Sequence, residues 1–155
     1  MRFAQSLKWI GVAVVLGFGS AAYACPVPAS GAQSFSATSS QLYSAATRSV
    51  SAGGDTALRS CNLGAFSGYV PGVAQLAVDF SNTDGYALEF RVQGGCDTVL
   101  LVNGPDGRWH WDDDSAGSLN PLIRLSGASS GRYAVWVGTV SSGNCSANLN
   151  VETFN

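Results

Sequence analysis

Leu76-Ala77-Val78-Asp79-Phe80-Ser81-Asn82-Thr83-Asp84-Gly85-Tyr86-Ala87-Leu88-Glu89-Phe90-Arg91-Val92 decides the fold class. Its apolar residues recur at every second position: Leu76, Val78 and Phe80, then Tyr86, Leu88, Phe90 and Val92. Period two is the repeat of a half-buried strand, because successive side chains point to opposite faces. Ala77 and Asp79 fall on the other face of the first strand, Glu89 and Arg91 on that of the second. The turn Ser81 to Gly85 separates them. Its Asp84-Gly85 pair is a strong hairpin signal, since both residues tolerate positive φ.

The same grammar continues downstream. Gly94-Gly95 ends the second strand. Thr98-Val99-Leu100-Leu101-Val102 is continuously apolar, as expected of a strand buried on both faces. Asn103-Gly104-Pro105-Asp106-Gly107 has turn chemistry, and Arg108-Trp109-His110-Trp111 is a short returning strand. Asp112 to Asn120 is an acidic loop with Gly and Ser. Leu122 to Leu125, Arg132 to Gly138 and Ala147 to Phe154 read as further strands, the last with Leu149 and Val151 inward. Residues 29–54, rich in Ser, Ala, Thr and Gly, are least patterned; they read as a loose N-terminal strand pair or partly irregular chain. Nothing after residue 24 keeps a 3.6-residue apolar period. The expected fold is all-β: an antiparallel, jelly-roll-like β-sandwich spanning residues 25–155.

The N-terminus reads as an export signal. Arg2 and Lys8 flank a short positive region, Trp9 to Gly19 is uncharged and mostly apolar, and Ala22-Tyr23-Ala24 places small residues at −3 and −1 of a cleavage site. The apolar run falls short of the roughly 20 residues that a membrane span needs. Cleavage after Ala24 leaves a secreted or periplasmic chain with no later membrane span. That chain has six Arg, no Lys and ten Asp or Glu, a formal charge of −4. Nucleic acid is excluded as a partner on this balance, because phosphate recognition needs basic patches.

All four cysteines, Cys25, Cys61, Cys96 and Cys145, lie beyond the cleavage site. An even count in an exported chain predicts two disulfides. Of three possible pairings, Cys25–Cys61 with Cys96–Cys145 is favoured, since it staples the two halves separately. There is no CxxC or CxxH spacing and His110 is the only histidine, which argues against a zinc site.

Five stretches in order carry a family resemblance: Cys96-Asp97-Thr98-Val99-Leu100-Leu101-Val102, Pro105-Asp106-Gly107, Asp112-Asp113-Asp114-Ser115, Asn120-Pro121-Leu122-Ile123, and Gly131-Arg132-Tyr133-Ala134-Val135-Trp136-Val137-Gly138. Together they resemble the bacterial pre-peptidase C-terminal domain over roughly residues 73–153. The resemblance implies a β-sandwich that usually accompanies a secreted peptidase without being catalytic. Some related domains bind collagen or other polymers, and some carry calcium. This chain departs from the family in its two disulfides and in having no peptidase body, so it reads as a free-standing form.

Three groups of residues are candidates for chemistry. Asp112, Asp113 and Asp114 repel one another unless solvated or shared by a cation, and calcium takes six to eight oxygens. With Asp97 and Asn120 they form a candidate calcium set, although Asp side chains also serve simply to cap backbone N–H groups in turns. Trp136 and Trp109 are candidate ligand contacts if exposed, since an exposed indole stacks on a sugar ring or polymer side chain, but the favoured reading is that Trp136 packs on a loop. Trp109 and Trp111 share one strand face and otherwise read as core. Gly127-Ala128-Ser129-Ser130-Gly131 matches G-x-S-x-G, but it lies between two strands where a serine hydrolase needs a strand–turn–helix elbow. His110 is its one available base. The function expected is a non-catalytic, exported binding or accessory module, stabilised by calcium, whose partner is a polymer, an envelope component or a secreted protein. The alternatives are a serine-type peptidase or hydrolase, and a structural envelope protein without a small ligand.

Overall fold

The computed structural model describes residues 25–28 and 31–155, so the expected export signal over residues 1–24 lies outside the described residues. Eleven strands follow in chain order: β1 (Gln33–Thr38), β2 (Ala46–Gly53), β3 (Thr56–Ala57), β4 (Tyr69–Val70), β5 (Leu76–Ser81), β6 (Ala87–Gly94), β7 (Thr98–Asn103), β8 (Trp109–Asp112), β9 (Leu122–Leu125), β10 (Gly131–Thr139) and β11 (Asn144–Phe154). They form two layers. The larger sheet runs β1-β5-β10-β7-β8, with β4 and β3 continuing from one end of β10. The smaller runs β2-β11-β6-β9. Among the described residues no helix is long and apolar enough to cross a membrane.

The alternating residues explain the layers. Leu76, Val78 and Phe80 of β5 and Tyr133, Val135 and Val137 of β10 face Leu88, Phe90 and Val92 of β6 and Leu149 and Val151 of β11 in one buried core. Burying a side chain of this size stabilises by roughly 1.5–3 kcal/mol relative to exposure. Strand β7 is buried along its whole length. Leu100 and Val102 join the inter-sheet core, while Val99 and Leu101 join a second cluster with Leu58, Val70, Ala74 and Trp136. The larger sheet is therefore covered on both faces, as the continuous apolar run in β7 predicted. At Gly138, where β4 pairs with the end of β10, the backbones come so close that a Cβ would stand 2.2 Å from the Tyr69 carbonyl oxygen.

Three expectations about connectivity change. The Ser81–Gly85 turn does not close a hairpin, because β5 and β6 belong to different sheets. Their apolar faces meet across the sandwich instead of lying side by side. Asn82 secures this crossing: its Nδ2 donates to the carbonyls of Tyr86 (3.0 Å) and Ala128 (2.8 Å), and its Oδ1 accepts the Tyr86 N–H. The buried Ser39 hydroxyl donates to Asp84 Oδ2 at 2.5 Å, and with Thr83 it holds the Asp84 carboxyl below its ordinary range. The stability this adds is present above the ordinary value of 3.8 and is lost as pH falls below it. Secondly, β1 and β2 do not pair with each other: β1 lies parallel to β5 and β2 antiparallel to β11. Thirdly, that β1–β5 pair makes the sandwich antiparallel with one parallel exception.

The cysteines pair as favoured, Cys25 with Cys61 and Cys96 with Cys145, and no free thiol remains. The first ties the chain's entry to the segment covering the larger sheet. The second ties the β6–β7 connection to β11.

Candidate functional site

The acidic loop leaves β8 at Asp112 and returns at β9. Strand β8 pairs with β7, which sets Asp112 opposite Leu100. Asp112 organises the loop. Its Oδ2 accepts the N–H groups of Ser115 (3.0 Å) and Leu122 (2.8 Å), and its Oδ1 accepts the Ser115 hydroxyl (2.5 Å). The chain then turns through Gly117, Ser118 and Leu119, with φ of 78°, 55° and 62°. This conformation costs non-glycine residues energy, and here two of the three are not glycine. Asn120 pins the far end: its Oδ1 accepts the Gly94 N–H at 2.7 Å, and its Nδ2 donates to the Ser118 carbonyl at 2.9 Å.

The five residues of the expected calcium set thus divide. Asp112 and Asn120 are occupied as caps, the role that Asp side chains commonly take in turns. Asp97 and Asp114 make no side-chain hydrogen bond or ion pair among the described residues. Asp113 is held above the usual carboxylate range, by burial first, then by the charges of Asp114 and Asp112, and last by Asp97. Asp97 reaches this field from the β6–β7 connection, 15 residues or more away in sequence. Among the described residues no three carboxylate, imidazole or thiol groups converge closely enough to hold an ion by side chains alone. A hard cation would take Asp113 or Asp114 together with Asp97, loop carbonyls and water.

The aromatic candidates resolve differently. Trp136 is completely buried, which agrees with the favoured reading that it packs on a loop and removes it as an exposed stacking surface. It points away from the inter-sheet core, but that face of the sheet is covered by Leu58, Leu63, Phe66 and Val70. The half-buried Trp109 packs on it, ring centroids 5.3 Å apart. Trp111 stacks on Phe66 and donates its Nε1 proton to the Ser67 carbonyl at 2.9 Å. The Trp136 Nε1 is buried without an acceptor among the described residues.

A polar cleft of about 400 Å³ lies at the end of the sandwich, between the β7–β8 turn and the β9–β10 connection. Arg108, His110, Arg124, Ser129 and Tyr133 line it, and Asp106 stands at its edge. It therefore brings His110 and Ser129 to one cavity. No hydrogen bond joins them, and Asp106 is engaged by Arg108 through its backbone N–H (3.0 Å) and its Nε (3.4 Å). The Ser129 carbonyl accepts the Tyr133 hydroxyl at 2.8 Å. A serine nucleophile needs a base in contact and an orienting partner behind that base. A fluorophosphonate probe is therefore expected to leave Ser129 unlabelled; stoichiometric labelling detected by mass spectrometry would reverse this reading.

Sequence reading did not single out Arg108, Arg124 or Tyr133. They lie on three separate elements, and only the packing of the turn against the β9–β10 connection gathers them. The one local sign is Gly131, where a Cβ would stand 2.5 Å from Pro105 Cβ. Arg124 also closes a charged network on the outer face of the smaller sheet. Glu89 is 2% exposed there, with Arg91 Nε at 3.1 Å and Arg124 at 2.6 Å.

These features define a disulfide-bonded, all-β sandwich with an acidic loop and a polar cleft at its ends. Comparison of the chain with models of known protein families, with curated proteins and with solved structures returns no match.

Proposed function

We propose that the protein is an exported, non-catalytic binding or accessory module of the pre-peptidase C-terminal type, and that its acidic loop takes up calcium. The carrying observation is the loop itself, where Asp112, Asp113 and Asp114 stand together at the end of β8 and the Asp113 carboxyl is held up first by burial, then by the charges of Asp114 and Asp112, and last by Asp97. Such crowding is relieved by a divalent cation that shares the charges. The export signal, the two disulfides and the five ordered motifs of the sequence support the rest of the reading. Among the described residues Ser129 and His110 share the cleft without a hydrogen bond between them, an arrangement that fits a binding role.

The expected result of calcium addition is a rise in thermal stability. A site with Kd in the 10⁻⁴–10⁻³ M range of extracellular modules gives about 5 °C at roughly 10 mM calcium, by mass action on the folded state. In EDTA, Asp113→Asn raises Tm slightly, because it removes a charge the fold disfavours. A carboxyl whose folded pKa lies above its unfolded value favours the folded state when protonated. The EDTA-treated protein therefore loses this contribution as pH rises from the ordinary value of 3.8 through the raised range. Scanning calorimetry of both forms, with and without calcium, decides the matter. A wild-type Tm unmoved by calcium and by EDTA removes the calcium site.

A further inference from the structure

We infer that the cleft between the β7–β8 turn and the β9–β10 connection binds a carboxylate-bearing saccharide, such as a uronic acid unit of a polymer. The inference rests on the reading of the protein as a binding module and adds a site and a ligand class to it.

The argument begins with charge. The chain beyond residue 24 is acidic overall and has only six arginines, yet two of them, Arg108 and Arg124, line this one cleft. Arg108 is 79% exposed on its side chain, and its guanidinium meets Asp106 Oδ2 through one 3.4 Å contact, while its backbone N–H holds Asp106 Oδ1 at 3.0 Å. An exposed pair of this kind contributes little, about 0–1 kcal/mol, so a ligand carboxylate can take the guanidinium over at small cost. Arg124 is held more firmly. Its Nε and one terminal nitrogen both reach Glu89 Oε2, and its guanidinium lies 4.0 Å above the Phe154 ring. Arg91 shares the same Glu89, so the triad carries one net positive charge beside the cleft. Arg108 is thus a movable carboxylate ligand, and Arg124 is a fixed source of positive field.

The remaining walls fit a polyol better than a peptide side chain. Ser126 and Ser129 offer hydroxyls, His110 an imidazole, and Asp106 Oδ2, once the Arg108 guanidinium moves off it, an acceptor for sugar hydroxyls. The apolar part of the wall is small, made chiefly by Pro105, Leu125 and Ala128. About 400 Å³ is room for one or two sugar rings at the low end of ordinary ligand sites. The cleft is built of two turns on the end of a rigid sandwich, with Tyr133 buried beneath it and fixed by its bond to the Ser129 carbonyl.

The experiment is calorimetric titration of the purified, disulfide-bonded protein with trigalacturonate, in EDTA so that calcium bridging plays no part. The fully methyl-esterified trimer and cellotriose serve as uncharged probes. The expected result is saturable binding of trigalacturonate, weakened about tenfold or more by methyl esterification and by Arg108→Ala, as loss of a charged hydrogen bond implies. Ser129→Asp, which sets a carboxylate in the cleft, is expected to abolish it. Arg108 is exposed, so its replacement leaves the fold intact, and circular dichroism checks this. Binding of trigalacturonate unchanged in both variants overturns the cleft while leaving the module reading in place, and so does binding of the uncharged probes alone. No binding to any of these, combined with an empty pull-down from a broad panel of glycans and envelope polymers, overturns both.

Discussion

Trp136→Ala is expected to destabilise the protein by about 3–5 kcal/mol, the usual cost of deleting a buried large aromatic. That is a large part of the 5–15 kcal/mol available to a domain, and it lowers Tm by on the order of 10–20 °C. The reason lies in position. Trp136 sits mid-strand in β10, wholly buried, and is the largest side chain of the second core, touching the cover segment through Leu58 and Val70. Its removal leaves Trp109 without the ring it packs on. Trp136→Phe separates packing from polarity. It keeps most of the aromatic surface and deletes the Nε1 donor, which is buried without an acceptor among the described residues. An orphaned donor costs about 1–3 kcal/mol, so this change offsets much of its own lost area and ends within about 1–2 kcal/mol of wild type. Urea unfolding followed by circular dichroism reads both. A Trp136→Ala protein as stable as wild type would mean that the outer face of the larger sheet is not packed.

Period-two patterning made the strands legible. The alternations of β5, β6, β10 and β11 each appear in the sequence with the inward residues that the core contains. The continuous run of β7 correctly implied burial on both faces. Pairing was less legible, for a physical reason. Asp84-Gly85 specifies that the chain reverses, and reversal is needed equally by a hairpin and by a crossing between layers. Which of the two occurs depends on whether the apolar faces meet edge to edge or face to face, and Leu76, Val78 and Phe80 do the latter with β6. The parallel place of β1 beside β5 is likewise a tertiary outcome. Its sequence, Gln33 to Thr38, has too few large apolar residues to announce a neighbour.

Sites were legible only as far as they were local. The Asp112–Asp114 triplet stands out in the sequence because its members are adjacent, and Asp97 belongs to the same field. That Asp112 and Asn120 are used as caps could not be read from spacing, since capping and metal binding draw on the same oxygens. In the sequence Trp136 stays open between a packed and an exposed indole, for a related reason. Alternation correctly set it opposite Tyr133, Val135 and Val137, but strand period does not say whether the opposite face is wet. The covering residues Leu63 and Phe66 come from a Gly- and Ser-rich stretch without strand pattern.

Opening the Cys96–Cys145 bridge by Cys96→Ser with Cys145→Ser is expected to cost about 4 kcal/mol, from the chain entropy restored over a separation of 49 residues. Cys25→Ser with Cys61→Ser, at a separation of 36, costs nearly as much on the same reckoning, about 4 kcal/mol. The two variants differ in what they loosen. Cys61 lies in the cover over Trp136, far from the acidic loop in the chain. Cys96 precedes Asp97 directly, in the connection that leads from the smaller sheet into β7 of the larger. Beyond the disulfide, the Gly95 N–H donates to the Ser146 carbonyl (3.4 Å) and the Asp97 carbonyl accepts the Val140 N–H (3.1 Å), while the flanking Gly94 and Thr98 are pinned to Asn120 and Leu119. Freeing Cys96 therefore lets Asp97 leave the field of Asp113, whereas freeing Cys61 does not. Thermal unfolding with calcium and with EDTA should find both variants lowered by a similar amount in EDTA, with the calcium-dependent rise kept in the Cys25/Cys61 variant and much reduced in the Cys96/Cys145 variant. If both keep the full rise, Asp97 is not a ligand, and the cation is held by Asp113, Asp114 and the loop carbonyls alone.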